Sequence, residues 1–211
     1  MSKKSITLRS RGFVDPRKGE GKAARYRLGI ILPIPIILLI TLWSKPTATS
    51  LWRGGICLAL GELIRWWSAG YIGGWQTSLE EERLVTSGPY ALVRNPCYVG
   101  SFLAGLGLAV MSGRWLAYVV LLGFTVLGMT RLVPGEEALL GEQFGLAYEA
   151  YYQVVPRYLP GWRQFGKWLR ARRQGTEPDQ RFGSRDAWLA ERYMLIFLVG
   201  VILAMVVRWR F

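Results

Sequence analysis

The 211-residue sequence contains no histidine and only two cysteines. Without histidine, the chain lacks the commonest metal ligand and the usual side chain for acid–base chemistry near neutral pH. Cys57 lies within an apolar run and Cys97 within a polar turn, and neither has an evident partner. The cysteine pattern therefore predicts neither a disulfide framework nor a metal site.

Acidic residues are also scarce, with 14 aspartates and glutamates against 27 lysines and arginines, for a formal net charge of +13. With 51% hydrophobic residues and a mean hydropathy of +0.20, the chain is too apolar for an ordinary soluble domain. The bases concentrate beside apolar runs, in residues 1–27 and 157–192. This distribution favours anionic lipid headgroups as the electrostatic partner. Nucleic-acid binding through the leader is the less favoured interpretation, and its sign would be a steep salt dependence.

Five apolar runs predict an all-α, polytopic transmembrane bundle of about five spans. The runs are residues 28–43, 51–72, 98–111, 115–133 and 193–207. Pro33 and Pro35 interrupt the first run and predict a bend in it. No small-residue cleavage site follows this run, so we expect the first span to be retained.

Composition divides the chain into four regions. They are a basic cytoplasmic leader (1–27), a membrane core (28–160), a basic interfacial helix with its linker (161–192), and a C-terminal transmembrane helix (193–211). With the leader inside, five spans place the 73–97 loop and the 134–192 region on the cytoplasmic side. We therefore expect an integral, multi-pass membrane protein whose polar motifs meet at the cytoplasmic face.

Local patterns predict how the helices pair. Three residues separate the third and fourth runs, which is enough only for a tight helical hairpin. Small residues along the third run, including Gly100, Ala104 and Gly107, predict close packing against its hairpin partner. Residues 136–153 have the periodicity of one amphipathic helix. Residues 161–173 alternate aromatic with basic side chains, which is typical of a helix in the headgroup plane.

Two polar phrases carry the chemistry of this chain. The first is Gly88-Pro89-Tyr90-Ala91-Leu92-Val93-Arg94-Asn95-Pro96-Cys97-Tyr98-Val99-Gly100. The second begins at Glu136-Glu137 and continues with Phe144-Gly145, Tyr148, Tyr151 and Val155-Pro156-Arg157-Tyr158-Leu159-Pro160. Polar groups where a chain leaves a bilayer are costly, so their presence indicates a function.

Over roughly residues 50–160, these phrases resemble the integral-membrane methyltransferases that include isoprenylcysteine carboxyl methyltransferase and the phospholipid N-methyltransferases. The resemblance implies S-adenosylmethionine as the cofactor and a lipidic acceptor within the bilayer. It also implies a cofactor pocket, to which we assign Tyr90, Arg94, Asn95, Pro96, Tyr98, Gly100, Glu136, Glu137, Tyr148 and Tyr151. Arg94 and Glu137 are the expected catalytic residues.

The charged residues have the chemistry that such a cofactor requires. Methyl transfer from a sulfonium is an in-line displacement, for which the protein supplies positioning and an electrostatic environment. Glu136 or Glu137 can hold the cofactor's ammonium, and Arg94 can bind its carboxylate in a forked contact. Taken singly, Arg94 could instead contact lipid phosphate, and the glutamates could stabilise the first turn of a helix.

The tyrosines allow two interpretations. Tyr90, Tyr98 or Tyr148 can face a sulfonium through cation–π and oxygen contacts. An aromatic stripe at helical spacing is also typical of packing, which is the competing interpretation for Tyr148 and Tyr151.

The acceptor stays open between two chemistries. The phrase Asn95-Pro96-x-Tyr98 favours a phospholipid headgroup amine, whereas the phrase at residues 155–160 favours an isoprenylcysteine-like carboxylate. An ammonium acceptor must lose a proton before attack. Glu137 is the candidate base, with a pKa that we expect partial burial to raise.

Glu62 and Arg65 are three residues apart on one face of the second run. We favour an intrahelical ion pair for them. Otherwise they line the acceptor cavity, with Arg65 or Arg157 binding an anionic acceptor.

A non-catalytic lipid-binding scaffold of the same fold is the alternative class of function, because Asn95 stands where the carboxyl methyltransferases have histidine. The oligomeric state is not predicted.

Overall fold

The computed structural model describes residues 33–72, 84–175 and 182–210. They form α1 (Pro33–Trp43), α2 (Ala48–Ile72), a 3-10 turn (Gly88–Ala91), α3 (Pro96–Ser112), α4 (Trp115–Arg131), α5 (Val133–Phe144), α6 (Leu146–Val154), α7 (Trp162–Gln174) and α8 (Ser184–Arg210). Within these ranges there is no strand, which confirms the all-α prediction. The leader 1–27 and residues 73–83 of the predicted loop lie outside them.

The described part of α1 begins at Pro33, and Pro35 lies two residues further along. The predicted bend in the first run falls at the boundary of the described residues and stays a prediction.

Glycines set the closest contact in the bundle, between the antiparallel helices α2 and α3. A Cβ on Gly61 would lie 2.6 Å from the carbonyl oxygen of Gly100, and one on Gly107 would lie 2.5 Å from the backbone nitrogen of Leu58. The prediction that the small residues of α3 pack against the hairpin partner was therefore wrong for Gly100 and Gly107. Among the glycines of α3, only Gly105 faces α4, because a Cβ there would lie 3.3 Å from Thr125 Oγ1.

The predicted hairpin between α3 and α4 is confirmed. Gly113 ends α3 with φ of 63°, a left-handed conformation that favours glycine, and α4 starts at Trp115. A Cβ on Gly113 would also lie 2.3 Å from the carbonyl oxygen of Lys45. The hairpin turn thus packs against the connection between α1 and α2.

α8 runs antiparallel to α2 along its whole length. At one end the backbone N–H of Gly183 donates to the carbonyl of Gly70 at 2.8 Å, and at the other end Arg208 Nε donates to the carbonyl of Ser44 at 3.2 Å. An apolar core fills the space between α1, α2, α3, α4 and α8. It comprises Ile37, Ile40, Leu58, Ala104, Leu108, Ala109, Met111, Ala117, Leu121, Leu198, Val201 and Met205.

Two helical stretches among the described residues are long and apolar enough to cross a membrane. They are Trp115–Phe144 and Ser184–Arg210, and shorter apolar helices cover Ile34–Trp43 and Pro96–Ser112. The apolar part of the first stretch is α4, whereas α5 carries the two glutamates of the second phrase. The carboxylates therefore lie just beyond the apolar segment.

The predicted single helix over residues 136–153 was wrong, because two helices cover this segment. α5 ends at Phe144 and α6 begins at Leu146, with Gly145 between them at φ 52° and ψ −125°. Only glycine adopts this backbone conformation readily. Because of this break, the direction in which the tyrosines of α6 point does not depend on the helical phase of the glutamates of α5.

Candidate functional site

The two polar phrases meet through their backbones. The N–H of Arg94 donates to the carbonyl of Pro156 at 2.8 Å, and the N–H of Asn95 donates to the carbonyl of Arg157 at 3.1 Å. Both donors lie directly before Pro96, which starts α3. A proline at the first helical position begins the helix there, so the two donors lie in the irregular segment before α3.

Glu137 is the centre of the site. Its Oε1 accepts hydrogen bonds from Arg94 Nε at 3.1 Å, Asn95 Nδ2 at 3.0 Å and Arg157 Nε at 3.1 Å. Its Oε2 accepts from Arg157 Nη2. The carboxylate therefore holds two arginines and an asparagine that come from both phrases. Three donors on Oε1 leave this oxygen no further lone pair.

Arg94 is held from three sides. Its Nη1 donates to the carbonyls of Tyr152 at 2.7 Å and Val155 at 2.8 Å, and its guanidinium lies 3.9 Å from the centre of the Tyr152 ring. The side chain is only 8% exposed. Its Nη2 makes no hydrogen bond to any described residue, so one donor nitrogen is available to a ligand.

The pKa of the Glu137 carboxyl is lower than expected from its burial. Burial alone would raise this pKa, but hydrogen bonds from Arg157, Asn95 and Arg94 outweigh it and hold the pKa below its ordinary value. The expectation of a raised pKa was therefore wrong. The hydrogen bond to Glu137 in turn raises the pKa of Arg157. Glu137 is thus an ionised anchor and a poor proton acceptor.

Glu136 has the opposite properties. Burial raises the pKa of its carboxyl above the ordinary value, the hydrogen bond from Tyr98 lowers it, and the charge of Glu137 raises it. Its Oε1 accepts from the Tyr98 hydroxyl at 2.9 Å. Of the two adjacent glutamates, Glu136 is therefore the one with free acceptor capacity.

The tyrosines of α6 divide into bonded and unbonded groups. The hydroxyl of Tyr151 donates to the carbonyl of Tyr90 at 2.8 Å, which ties α6 to the 3-10 turn. Tyr148 is 5% exposed, and its hydroxyl has no hydrogen-bond partner among the described residues. Its ring packs on Tyr152 with centroids 6.2 Å apart. Burial raises the pKa of Tyr148 to about 12, so it stays a hydrogen-bond donor at neutral pH.

Two members of the predicted pocket serve the packing of α3. Pro96 starts the helix. A Cβ on Gly100 would lie 2.7 Å from both the Gly61 carbonyl oxygen and Arg65 Cγ, so this glycine is required where α3 crosses α2.

A second polar cluster lies deeper, between α2, α3 and α8. Arg65 Nη2 donates to both oxygens of Glu191, at 3.0 and 2.7 Å, and Nη1 donates to Ser101 Oγ at 2.7 Å. Glu62 lies 3.6 Å from Arg65 Nε. The intrahelical contact therefore exists, but the main partner of Arg65 is Glu191, a residue more than a hundred positions away that sequence reasoning missed.

Sequence reasoning also missed Tyr152 and the role of the Asn95 amide. Tyr152 supplies a carbonyl and a ring to Arg94. The tyrosine-rich spacing of α6 was a signal for the ring, whereas no sequence signal could have found the carbonyl. Among the described residues, no group of three or more histidine, cysteine, aspartate or glutamate side chains could hold a metal ion.

Fold and site together define a helical membrane protein with a charged, tyrosine-lined site at one end of its bundle. Residues 49–147 match the phospholipid methyltransferase family. The chain belongs to the membrane methyltransferase family that includes isoprenylcysteine carboxyl methyltransferase and the phospholipid methyltransferases, as the motifs predicted. The matched segment ends one residue before Tyr148, so the family match does not cover α7 and α8.

Three relatives illustrate the range of this likeness. The nickel-cobalt-cadmium resistance protein NccN of Alcaligenes xylosoxydans xylosoxydans is 30% identical over 165 residues, which is 74% of each chain. The cobalt-zinc-cadmium resistance protein CzcN of Cupriavidus metallidurans is 30% identical over 146 residues, or 64% of each chain. The protein-S-isoprenylcysteine O-methyltransferase of Schizosaccharomyces pombe is 35% identical over 81 residues, 38% of this chain and 34% of that enzyme. No solved structure matches the chain.

Proposed function

We propose that this protein transfers a methyl group from S-adenosylmethionine to a lipidic acceptor reached from within the bilayer. Family membership supports the reaction class. The observation that carries the proposal is the hydroxyl of Tyr148, which is buried and has no partner among the described residues. Leaving such a group unsatisfied costs about 1 to 3 kcal/mol, which a ligand with a polar atom here would recover.

The side chains of the two phrases fit the polar parts of this cofactor. Arg94 Nη2 would bind its carboxylate, since the other nitrogens of that guanidinium are held by protein groups. Glu136 would hold its ammonium, because Glu137 already accepts four hydrogen bonds. Tyr90, Tyr98 and Tyr148 offer rings and hydroxyls for its sulfonium. When bound, the cofactor supplies an activated methyl group on a positively charged sulfur.

Glu137 and Asn95 act as positioning residues in this proposal. The Asn95 amide and both arginines converge on the Glu137 carboxylate, which fixes the orientation of Arg94 toward the pocket. A guanidinium held in place before the ligand binds loses little entropy on binding. We therefore retain Arg94 as a catalytic-site residue, with Glu137 acting through it.

The acceptor is either a phospholipid headgroup amine or an isoprenylcysteine-like carboxylate. An amine acceptor would have to arrive as the neutral amine, because Glu136 would be engaged by the cofactor ammonium and Glu137 already accepts four hydrogen bonds. For a carboxylate, Arg157 is the proposed contact, because its side chain is 37% exposed at the edge of the site. Arg65 is engaged by Glu191 and Ser101, which makes it a weaker candidate than Arg157.

We also propose that the protein crosses the membrane several times and that this site lies at the cytoplasmic face. α1, α2, α3, α4 and α8 would be the five spans. Backbone contacts support an alternating arrangement, since Gly70 meets Gly183 at the end near the site and Lys45 meets Ser112 at the other end.

One experiment tests the reaction and its acceptor together. Purified protein in detergent is incubated with methyl-labelled S-adenosylmethionine and either phosphatidylethanolamine or a farnesylated cysteine, and products are analysed by mass spectrometry. We expect one acceptor to gain the label, and we expect the Arg94→Ala variant to lose most of the product. If neither these acceptors nor a native lipid extract gains label, the proposed reaction is wrong.

The alternative is a non-catalytic lipid-binding scaffold. It is supported by Asn95, because a side-chain amide does not exchange a proton near neutral pH as an imidazole does, and this amide is bound to Glu137. Binding of labelled S-adenosylmethionine separates the two functions. A folded protein that binds lipid but no cofactor would be the scaffold.

A further inference from the structure

α7 presents three different stripes along its 13 residues. At 3.6 residues per turn, positions three, four and seven apart share a face of the helix. The apolar stripe comprises Trp162, Phe165 and Leu169, the basic stripe Arg163, Lys167 and Arg170, and the third stripe Gln164, Trp168 and Ala171. An ordinary surface helix needs only one apolar stripe and one polar stripe.

The third stripe faces the protein. The Gln164 side-chain amide donates to the carbonyl of Ala91, and the Trp168 ring packs edge-on against Trp67 of α2 at 6.2 Å. Gln164, Trp168 and Ala171 are half-buried. Because the third stripe anchors the helix, Trp162 and Phe165 of the apolar stripe stay exposed.

Two of the three residues of the apolar stripe are exposed, and the third, Leu169, is half-buried. Trp162 is 94% exposed and Phe165 is 45% exposed. Beside it, the three bases of the basic stripe are exposed, and α7 contains no acidic residue that would neutralise them. A tryptophan and a phenylalanine next to a row of bases fit the boundary between acyl chains and anionic headgroups.

We propose that α7 is an anionic-lipid-binding surface that couples the leaflet to the methyl-transfer site. The basic stripe would contact lipid phosphates while the apolar stripe enters the acyl boundary. A nucleic acid would use the same charge but leave Trp162 and Phe165 in water, so a leaflet fits both stripes and a nucleic acid fits one.

The path of coupling is short. Ala91, which accepts the hydrogen bond from Gln164, lies in the 3-10 turn next to Tyr90 and three residues before Arg94. The carbonyl of Tyr90 accepts from Tyr151 of α6. Binding of α7 to a charged leaflet would therefore fix the position of the 3-10 turn, which contains the start of the first polar phrase. This coupling rests on the proposed function, whereas the lipid contact does not.

Depth measurements at Trp162 test the lipid contact. The full chain, with Cys57→Ala and a fluorophore on Trp162→Cys, is reconstituted into phosphatidylcholine vesicles with and without phosphatidylglycerol. Quenching by lipids with a nitroxide on the acyl chain reports insertion. We expect phosphatidylglycerol to increase quenching by about twofold or more, less so in high salt.

Two variants with matched substitutions separate charge from side-chain shape. Replacing Arg163, Lys167 and Arg170 by glutamine should abolish the response to phosphatidylglycerol. The charge-preserving substitutions Arg163→Lys, Lys167→Arg and Arg170→Lys should leave the response to phosphatidylglycerol intact. Equal quenching in both vesicles would overturn the proposal. An unchanged response to phosphatidylglycerol in the glutamine variant would overturn it as well. So would a quenching signal that is abolished only when an oligonucleotide binds to the protein.

The coupling has its own test. The affinity for S-adenosylmethionine should be higher in vesicles containing phosphatidylglycerol, and Gln164→Leu should remove that difference while leaving the quenching at position 162 unchanged. If cofactor does not bind under any condition, the proposed function fails while the quenching result stands. If it binds equally in both vesicles, only the coupling is wrong.

Discussion

Arg94 Nε donates to Glu137 Oε1 at 3.1 Å, and the two side chains are only 8% and 7% exposed. The two residues are 43 positions apart and come from the two phrases that the sequence marks as functional. Their contact neutralises two buried charges that would each be costly alone. Because they act as a pair, a substitution at either position also changes the electrostatic environment of the other.

Loss of this pair should weaken cofactor binding. Arg94→Ala and Glu137→Gln should each lower the affinity for S-adenosylmethionine by about 1.5 to 3 kcal/mol, the range for charge-assisted hydrogen bonds. Isothermal titration in detergent measures this. Arg131→Ala is the matched control, because Arg131 is exposed at the end of α4. Unchanged affinity in both site variants, with the proteins monodisperse, would remove the assignment of this pocket.

Tyr148→Phe should separate ligand binding from stability. In the free protein, the substitution removes a buried hydroxyl without a partner, so the free energy of unfolding should stay the same or rise. The affinity for the cofactor should fall by about 1 kcal/mol, the value of one hydrogen bond.

Tyr151→Phe is the control for this prediction and should behave in the opposite way. It loses the hydrogen bond to the Tyr90 carbonyl and should lower thermal stability. If Tyr148→Phe instead lowers stability and leaves affinity intact, the hydroxyl has a structural role.

The two glutamates should respond to pH in opposite directions. The raised pKa of Glu136 means that its carboxylate, and with it the affinity for the cofactor ammonium, is lost as pH falls through a value above the ordinary 4.5. The lowered pKa of Glu137 means that its stabilising contribution is present above 4.5 and is lost only below that value. Affinity should therefore fall at a higher pH than stability does.

Glu136→Gln tests which carboxyl is responsible for the pH dependence. The variant should bind the cofactor weakly at every pH, with the upper step in the affinity profile gone. Glu137→Gln should bind weakly but keep the step. A step that survives Glu136→Gln would assign the ammonium contact to another group.

The contact between Arg65 and Glu191 should hold α8 to the bundle. Glu191→Gln removes the closer of the two carboxylates beside the buried guanidinium and should destabilise the fold by about 3 to 5 kcal/mol. Thermal unfolding in detergent measures the loss. Replacing both residues, as Arg65→Met with Glu191→Leu, should recover most of the stability, and Glu62→Gln should cost much less. Equal losses for Glu62→Gln and Glu191→Gln would show that the contact between helices is unimportant.

The membrane topology can be tested by cysteine labelling from each side. Gln174→Cys and Glu80→Cys should react with a membrane-impermeant maleimide from the cytoplasm, and Arg114→Cys from the opposite side. The buried Cys97 should stay unlabelled in all of them. Reaction of Gln174→Cys and Arg114→Cys from the same side would contradict the five-span arrangement.

The sequence by itself determined most of the helices, the hairpin and the two phrases that meet at the candidate site. Apolar periodicity, Pro96 at a helix start and Gly113 at a helix end are local signals, because backbone sterics act within a few residues. The family could be recognised for the same reason, since its two phrases are short and contiguous.

Only the tertiary structure decided which helices touch and which charges meet. The glycines of α3 pack on α2 and not on the hairpin partner, and Arg65 pairs with Glu191 across the bundle. No local pattern contains this information, because it depends on how each helix is rotated about its axis. The same holds for the pKa values of Glu136 and Glu137, adjacent carboxylates that are shifted in opposite directions. Neighbours in the chain can differ in this way because a pKa depends on the distances to surrounding donors and charges, and only the packed fold sets those distances.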